Sequence, residues 1–159
     1  MLGEERIAIS GVPTAASLAA LLEAGITHAV NCRAPFQTAI SQDAWALRTV
    51  LGRDRVALAP MWDHGRAQRP ALWAPAARFG AAALDDPEAR VLVHCQQGRR
   101  RSVLVAYAIL RLRGMDPEAA QRLILDSRGV AHLVPAYRDS VERWLEHARG
   151  PLGAGDAGR

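Results

Sequence analysis

Arg90-Val91-Leu92-Val93-His94-Cys95-Gln96-Gln97-Gly98-Arg99-Arg100-Arg101-Ser102 is the stretch from which the rest of this chain is read. Its opening, Arg90 to Val93, is apolar and β-branched and reads as a buried strand. The segment after it, Val103 to Leu110, is almost continuously apolar and reads as a buried helix. The polar run between them is therefore a strand-to-helix loop. Such a loop presents free backbone N–H groups at the positive end of a helix dipole, an arrangement that favours an anion. A cysteine stands at one end of it and an arginine at the other.

Each position of the loop has a chemical use. A free cysteine titrates near ~8.5, and helix-terminus amides with neighbouring cations lower that, so Cys95 is expected to be largely thiolate and able to attack phosphorus. Arg101 carries a planar fork that binds two phosphate oxygens at once and stays matched as the equatorial oxygens flatten in the transition state. Gln96, Gln97, Gly98, Arg99 and Arg100 supply the remaining phosphate-binding positions, with Gly98 letting successive amides converge. Ser102 can donate a hydrogen bond to the sulfur, which helps a thiolate leave. His94 lies on the other face of the strand and is read as bracing the loop through backbone hydrogen bonds rather than moving protons.

The frame His94-Cys95, Gly98, Arg101-Ser102 resembles the HCxxGxxRS signature of the cysteine-dependent protein tyrosine phosphatases, most closely the dual-specificity group. All five signature positions are present. Low-molecular-weight tyrosine phosphatases carry a similar loop near the N-terminus, and rhodanese-like domains lack the His-Cys and Arg-Ser frame. The resemblance spans roughly residues 5–149. It implies hydrolysis of phosphomonoesters through a cysteinyl-phosphate, with phosphotyrosine proteins, and phosphoserine or phosphothreonine ones, as substrates.

Thiolate attack needs a proton for the leaving oxygen, and a carboxylic acid on a separate loop is the natural donor. Asp63 is the candidate. It follows the apolar segment Val56-Ala57-Leu58-Ala59 and stands 32 positions before Cys95, about where the resemblance places the family's acid loop. The resemblance also gives Asn31 a part in supporting the phosphate loop. Cys32 has two readings: a partner that traps oxidised Cys95 as a disulfide, as in some relatives, or a buried structural thiol.

Two departures from the family bear on substrate. Val134-Pro135-Ala136-Tyr137 lacks the asparagine that usually follows the proline. Arg99 and Arg100 replace the small or neutral residues common in protein phosphatases; either they face solvent or, as in lipid phosphatases, they grip additional phosphates. With Arg66 and Arg69 they motivate a second reading, a phosphatase for phosphoinositides, inositol phosphates or an RNA 5′-phosphate end. A third reading is a phosphate-binding pseudophosphatase, which the joint presence of Cys95, Arg101 and Asp63 opposes.

The flanking sequence alternates strands and helices. Residues 6–12 read as a strand, and Thr14 caps a helix that Gly25 ends. Ile26 to Cys32 form a second strand, Ser41 caps a helix closed by Gly52, and residues 55–62 form a third strand. Leu72, Ala76, Phe79 and Ala83 fall at helical spacing despite Pro75. Asp116-Pro117 opens another helix, and Tyr137, Val141, Trp144, Leu145 and Ala148 mark the last. The expected fold is α/β: a single domain, residues 1–150, with a central mixed sheet of four to five strands flanked by helices, and a flexible tail at 151–159.

Composition agrees with one catalytic domain. The chain has 159 residues, half of them hydrophobic, and no run of the ~20 apolar residues a membrane span requires. Its net charge is +4, and all 20 basic residues are arginine. A balance this mild suits a phosphorylated protein partner, or an anionic lipid or inositol phosphate, and is no nucleic-acid signal on its own. Two cysteines make no disulfide framework, and the N-terminus has no signal pattern, so the cytoplasm and a monomer are expected. The histidines have no ligand spacing, so neither a metal nor another cofactor is expected.

Overall fold

The computed structural model describes residues 1–148; the expected tail at 151–159 lies outside the described residues. Four strands form one sheet: β1 (Ile7–Ser10), β2 (His28–Asn31), β3 (Val56–Leu58) and β4 (Val91–His94), in the order β1-β4-β2-β3. All three pairings are parallel, where a mixed sheet was expected. The reason is in the connections. Each strand is followed by at least one helix before the next, and a helical crossover restores the strand direction. All strand C-termini therefore open on the same edge of the sheet, where the loops after β1, β2, β3 and β4 meet.

The helices cover both faces. On one side α1 (Ala15–Glu23) and α3 (Asp43–Leu51) bury Leu18, Leu21 and Leu47 against Ala29, Val56 and Leu92. On the other lie α4 (Pro70–Ala83), α5 (Arg101–Leu112), α6 (Pro117–Ser127) and α7 (Pro135–Ala148). These pack on Ile7, Ile9, Val30, Val91 and Val93, and the same cluster contains Cys32 and Cys95. Residues of β4 are buried on both faces, as an internal parallel strand requires. Helix α5 is buried from Arg101 through Arg111. Gly80 lets α4 reach it: a Cβ there would stand 2.5 Å from Ile109 Cδ1.

Several expected boundaries hold. Thr14 Oγ1 accepts from the Ser17 amide while the Thr14 amide donates to Ser17 Oγ, a reciprocal cap. Asp116 Oδ1 accepts from the amides of Glu118 and Ala119. Others differ. Ser41 does not cap a helix but ends α2 (Pro35–Ser41), a helix started by a proline at its first position. Gln42, with φ 52°, breaks the chain between α2 and α3. The Ser41 hydroxyl is used elsewhere, donating to Asp43 Oδ1 and accepting from Arg33 Nη1. The third strand stops at Leu58 rather than residue 62, because β3 is an edge strand paired only with β2, and Pro60 has no N–H for a ladder. Pro75 lies inside α4 without ending it.

Candidate active site

The loop after β4 wraps its own cysteine. Gly98 N donates to Cys95 Sγ at 3.2 Å, and Ser102 Oγ lies 3.3 Å from the same sulfur. Burial pushes the thiol up, but the Ser102 hydroxyl and the amides of Ser102, Arg99 and Gln97 outweigh it and bring Cys95 below its ordinary value. The sulfur thus occupies a nest of donors that would serve a phosphoryl oxygen equally well. Gly98 makes the nest possible. Its φ is 65°, and a Cβ there would fall 2.4 Å from the carbonyl carbon of Ser10, so no other residue fits without moving β1. Arg128, beyond α6, ties the loop from outside, with Nε donating to Gly98 O at 2.8 Å.

Arg101 opens α5 and is nearly wholly buried. Its Nη1 donates to Met61 O at 3.1 Å and to Gln37 Oε1 at 2.9 Å. Its Nε is enclosed and has no hydrogen-bond partner among the described residues, leaving a donor for an incoming anion. Asp63 Oδ2 is 3.9 Å from that Nε, and Asp63 Oδ1 is 3.4 Å from Arg100 Nη1. The structure therefore brings Asp63 over the loop after β4, with its side chain one-third exposed.

The segment carrying Asp63 is pinned from beneath. Buried Gln68 donates from Nε2 to Trp62 O at 2.6 Å and to Tyr137 Oη at 3.3 Å. Tyr137 Oη accepts from Gly65 N at 3.2 Å and donates to Asp63 Oδ1 at 3.4 Å. On the solvent side, the half-exposed rings of Phe36 and Trp62 stack with centroids 5.1 Å apart. Pro135-Ala136-Tyr137 thus supports the acid segment through its tyrosine, although the asparagine expected there is absent.

Asn31 supports the loop at one remove. Its Nδ2 donates to Asp43 Oδ2 at 3.0 Å; Asp43 pairs with buried Arg33 at 3.0 Å, and Arg33 Nη2 donates to Gln96 Oε1 at 2.7 Å. Gln96 is in this way tethered to β2. Cys32 N donates to His94 O at 2.8 Å. The β2–β4 register, Asn31 against His94, sets Cys32 beside Cys95 on the same face of the sheet. Burial, with Cys95 close by, holds the Cys32 thiol well above its ordinary value, the Arg101 charge opposing.

The His94 backbone ties the loop to the neighbouring strand, its carbonyl O accepting from Cys32 N at 2.8 Å, while neither ring nitrogen has a partner within hydrogen-bond geometry among the described residues. The ring faces the α3 side in a dry environment that lowers its pKa to about 4, Asp43 and the nearby Cys95 backbone opposing the shift and Arg33 adding to it. The side chains of Gln97 and Arg99 point to solvent, and those two residues contribute amides. Sequence reasoning missed Arg33, Gln37, Asp43, Gln68 and Arg128, and took Tyr137 only as a position marking the last helix. Only Arg33 carried a signal, its place at the C-terminal end of a parallel strand.

No protein-family model and no curated protein sequence matches this chain. Solved structures do. The crystal structure of human DUSP28 superposes with a TM-score of 0.70 over 94% of this chain and 94% of its own, at 22% identity. PTPMT1 in complex with PI(5)P gives 0.75 over 94% and 97%, at 17% identity. A mouse putative dual specificity phosphatase complexed with zinc tungstate gives 0.70 over 94% and 87%, at 23% identity. The resemblance first carried by nine residues of sequence extends to the whole described architecture, and the fold of this chain is that of the dual-specificity phosphatases.

Proposed function

We propose that this chain is a phosphatase that hydrolyses phosphomonoesters through a cysteinyl-phosphate, acting on phosphotyrosine proteins and on phosphoserine or phosphothreonine ones. The observation that carries the reading is the convergence of a thiol nested among donors, a buried guanidinium whose Nε makes no hydrogen bond among the described residues, and a carboxyl group above both. Cys95 Sγ attacks phosphorus while Arg101 and the loop amides hold the equatorial oxygens. The bond from phosphorus to the leaving oxygen breaks, and Asp63 gives that oxygen its proton. Water then attacks phosphorus, Asp63 takes its proton, and the S–P bond breaks to return the thiolate, with Ser102 donating to the departing sulfur. The stacked rings of Phe36 and Trp62 beside Asp63 offer an apolar face to an aryl leaving group.

A second reading, an inositol-phosphate or phosphoinositide substrate, is favoured by Arg99 and Arg100 in the loop, by exposed Arg66 and Arg69 in the acid segment, and by the fold shared with PTPMT1, solved with PI(5)P. One experiment tests both. The purified chain is incubated with phosphotyrosine peptide, phosphothreonine peptide or soluble PI(5)P, each 32P-labelled, and quenched in acid. Label is expected on the wild-type chain and absent from Cys95→Ser, with fastest turnover on the phosphotyrosine peptide. Faster turnover of PI(5)P would move the assignment to the second reading, and wild-type rates in Cys95→Ser would end both.

A further inference from the structure

We propose that the groove between α2, α3 and the edge strand β3 is a docking site for an extended acidic segment of the phosphoprotein substrate. The inference rests on the reading of the Cys95 site given above and concerns a surface outside it. Thr38, Gln42, Trp45, Arg48, Arg53 and Leu58 line an open recess of about 630 Å³. Trp45 is 67% exposed and Leu58 43%. Of the ten large hydrophobic side chains left exposed in the described chain, Phe36, Ile40, Trp45, Val50, Leu58 and Trp62 all come from α2, α3, β3 and the segment after β3. Apolar exposure concentrated in one corner marks a surface that something covers.

Charge identifies what covers it. Arg48 and Arg53 both line the recess, no carboxylate lines it, and neither arginine has an acidic partner within 4.0 Å among the described residues. The Arg48 side chain is part-buried at the recess, and its Nε has no hydrogen-bond partner among the described residues. Two unpaired guanidinium groups beside an indole and a leucine fit carboxylates alternating with apolar side chains. The outer edge of β3 carries no partner strand, which suits an extended backbone. A second copy of this chain fits poorly, since it would bring more arginine to a surface of net charge +4.

Position links the groove to catalysis. Thr38, at its lip, adjoins Gln37, whose Oε1 holds Arg101 Nη1. An extended segment advances ~3.3 Å per residue, so about five residues cover ~17 Å, enough to lie in the groove and continue toward Cys95.

The test separates docking from catalysis. An unphosphorylated peptide alternating Glu and Leu is titrated by calorimetry against the whole chain, beside its Gln-for-Glu counterpart. Binding is expected only for the acidic peptide, weakening with salt. It should fall about tenfold or more in the charge reversals Arg53→Glu and Arg48→Glu, tenfold being ~1.4 kcal/mol. Trp45→Ala, an exposed change that leaves the arginines in place, should weaken it as well. With a phosphotyrosine inserted beside the acidic run, KM should rise about tenfold in Arg53→Glu, while kcat and turnover of a small aryl phosphate stay unchanged. Equal binding of both peptides, unchanged KM in the variants, tighter binding of an oligonucleotide, or sedimentation of a dimer that Trp45→Ala dissolves would each overturn the proposal. Peptide binding without turnover of any phosphate ester would leave the docking site standing and remove the phosphatase reading instead.

Discussion

His94 should make this fold acid-sensitive in a way its many carboxylates do not. The side chain is fully buried and both ring nitrogens lack a partner, so burial holds its pKa at about 4, against 6.5 for a free imidazole. The sign follows from proton counts. Between those two values the unfolded chain binds a proton at residue 94 that the folded chain refuses, so stability rises with pH in that window and is lost as pH falls through it. At ~1.4 kcal/mol per unit, the loss is about 1 kcal/mol by pH 5.5 and about 2 to 3 kcal/mol by pH 4.5. Carboxylates titrate over part of the same range, so the quantity to measure is a difference. Urea unfolding of the wild type and of His94→Asn is followed by circular dichroism from pH 7.5 to 4.5. The amide, which does not titrate in this range, is expected to lower stability at pH 7.5 but to flatten the acid slope, so the two curves converge. Parallel curves across the whole range would refute the assignment of a neutral, desolvated imidazole.

Three further outcomes are expected. Asp63→Asn should lower kcat strongly for alkyl phosphates and much less for nitrophenyl phosphate, whose leaving group needs no proton; equal losses across a leaving-group series would make Asp63 structural. Cys32 and Cys95 stand on neighbouring parallel strands, which run ~4.8 Å apart, inside the ~7 Å limit for Cα atoms that can be bridged. Mild peroxide should oxidise Cys95 to the sulfenic acid, and Cys32 should displace water from it to give a disulfide seen by mass spectrometry. Cys32→Ser should turn reversible inactivation into overoxidation, and full thiol-dependent recovery of that variant would count against the pair. Gly98→Ala, forced against Ser10 at a φ of 65°, should cost about 2 kcal/mol or more in thermal melts and abolish phosphate binding; an unchanged melt would show that the loop adapts.

What could be read from sequence was whatever the chain states locally. The strand, loop and helix around Cys95 are contiguous, so their periodicity and the spacing of cysteine and arginine lay in view together, and Asp63 was found because it follows an apolar strand. The polar groups that hold these residues are scattered. Arg33 and Gln96 are 63 positions apart, and Gln68 and Tyr137 are 69 apart; only the order β1-β4-β2-β3 and the folding back of α7 bring them together. Strand direction was misread as mixed although a helix was expected in every link between strands, a pattern that itself calls for parallel pairing. The face of β4 that His94 takes was legible from alternation along the strand, but the dryness of the layer it enters depends on helices far away in sequence and was not.

The proposed nucleophile of this chain is also a core residue. Cys95 packs in the same buried cluster as Val93, Leu104 and Tyr107, and Arg101 begins the most enclosed helix of the fold. The proposed reaction centre and the hydrophobic core therefore draw on the same side chains, so an anion seated in the loop would cross-link β4, α5 and the Asp63 segment at the centre of the domain. Affinity for phosphate and resistance to unfolding become one quantity seen from two sides. Selection for tighter oxyanion binding would stiffen the whole molecule, and drift that loosens the interior would surface first as lost turnover.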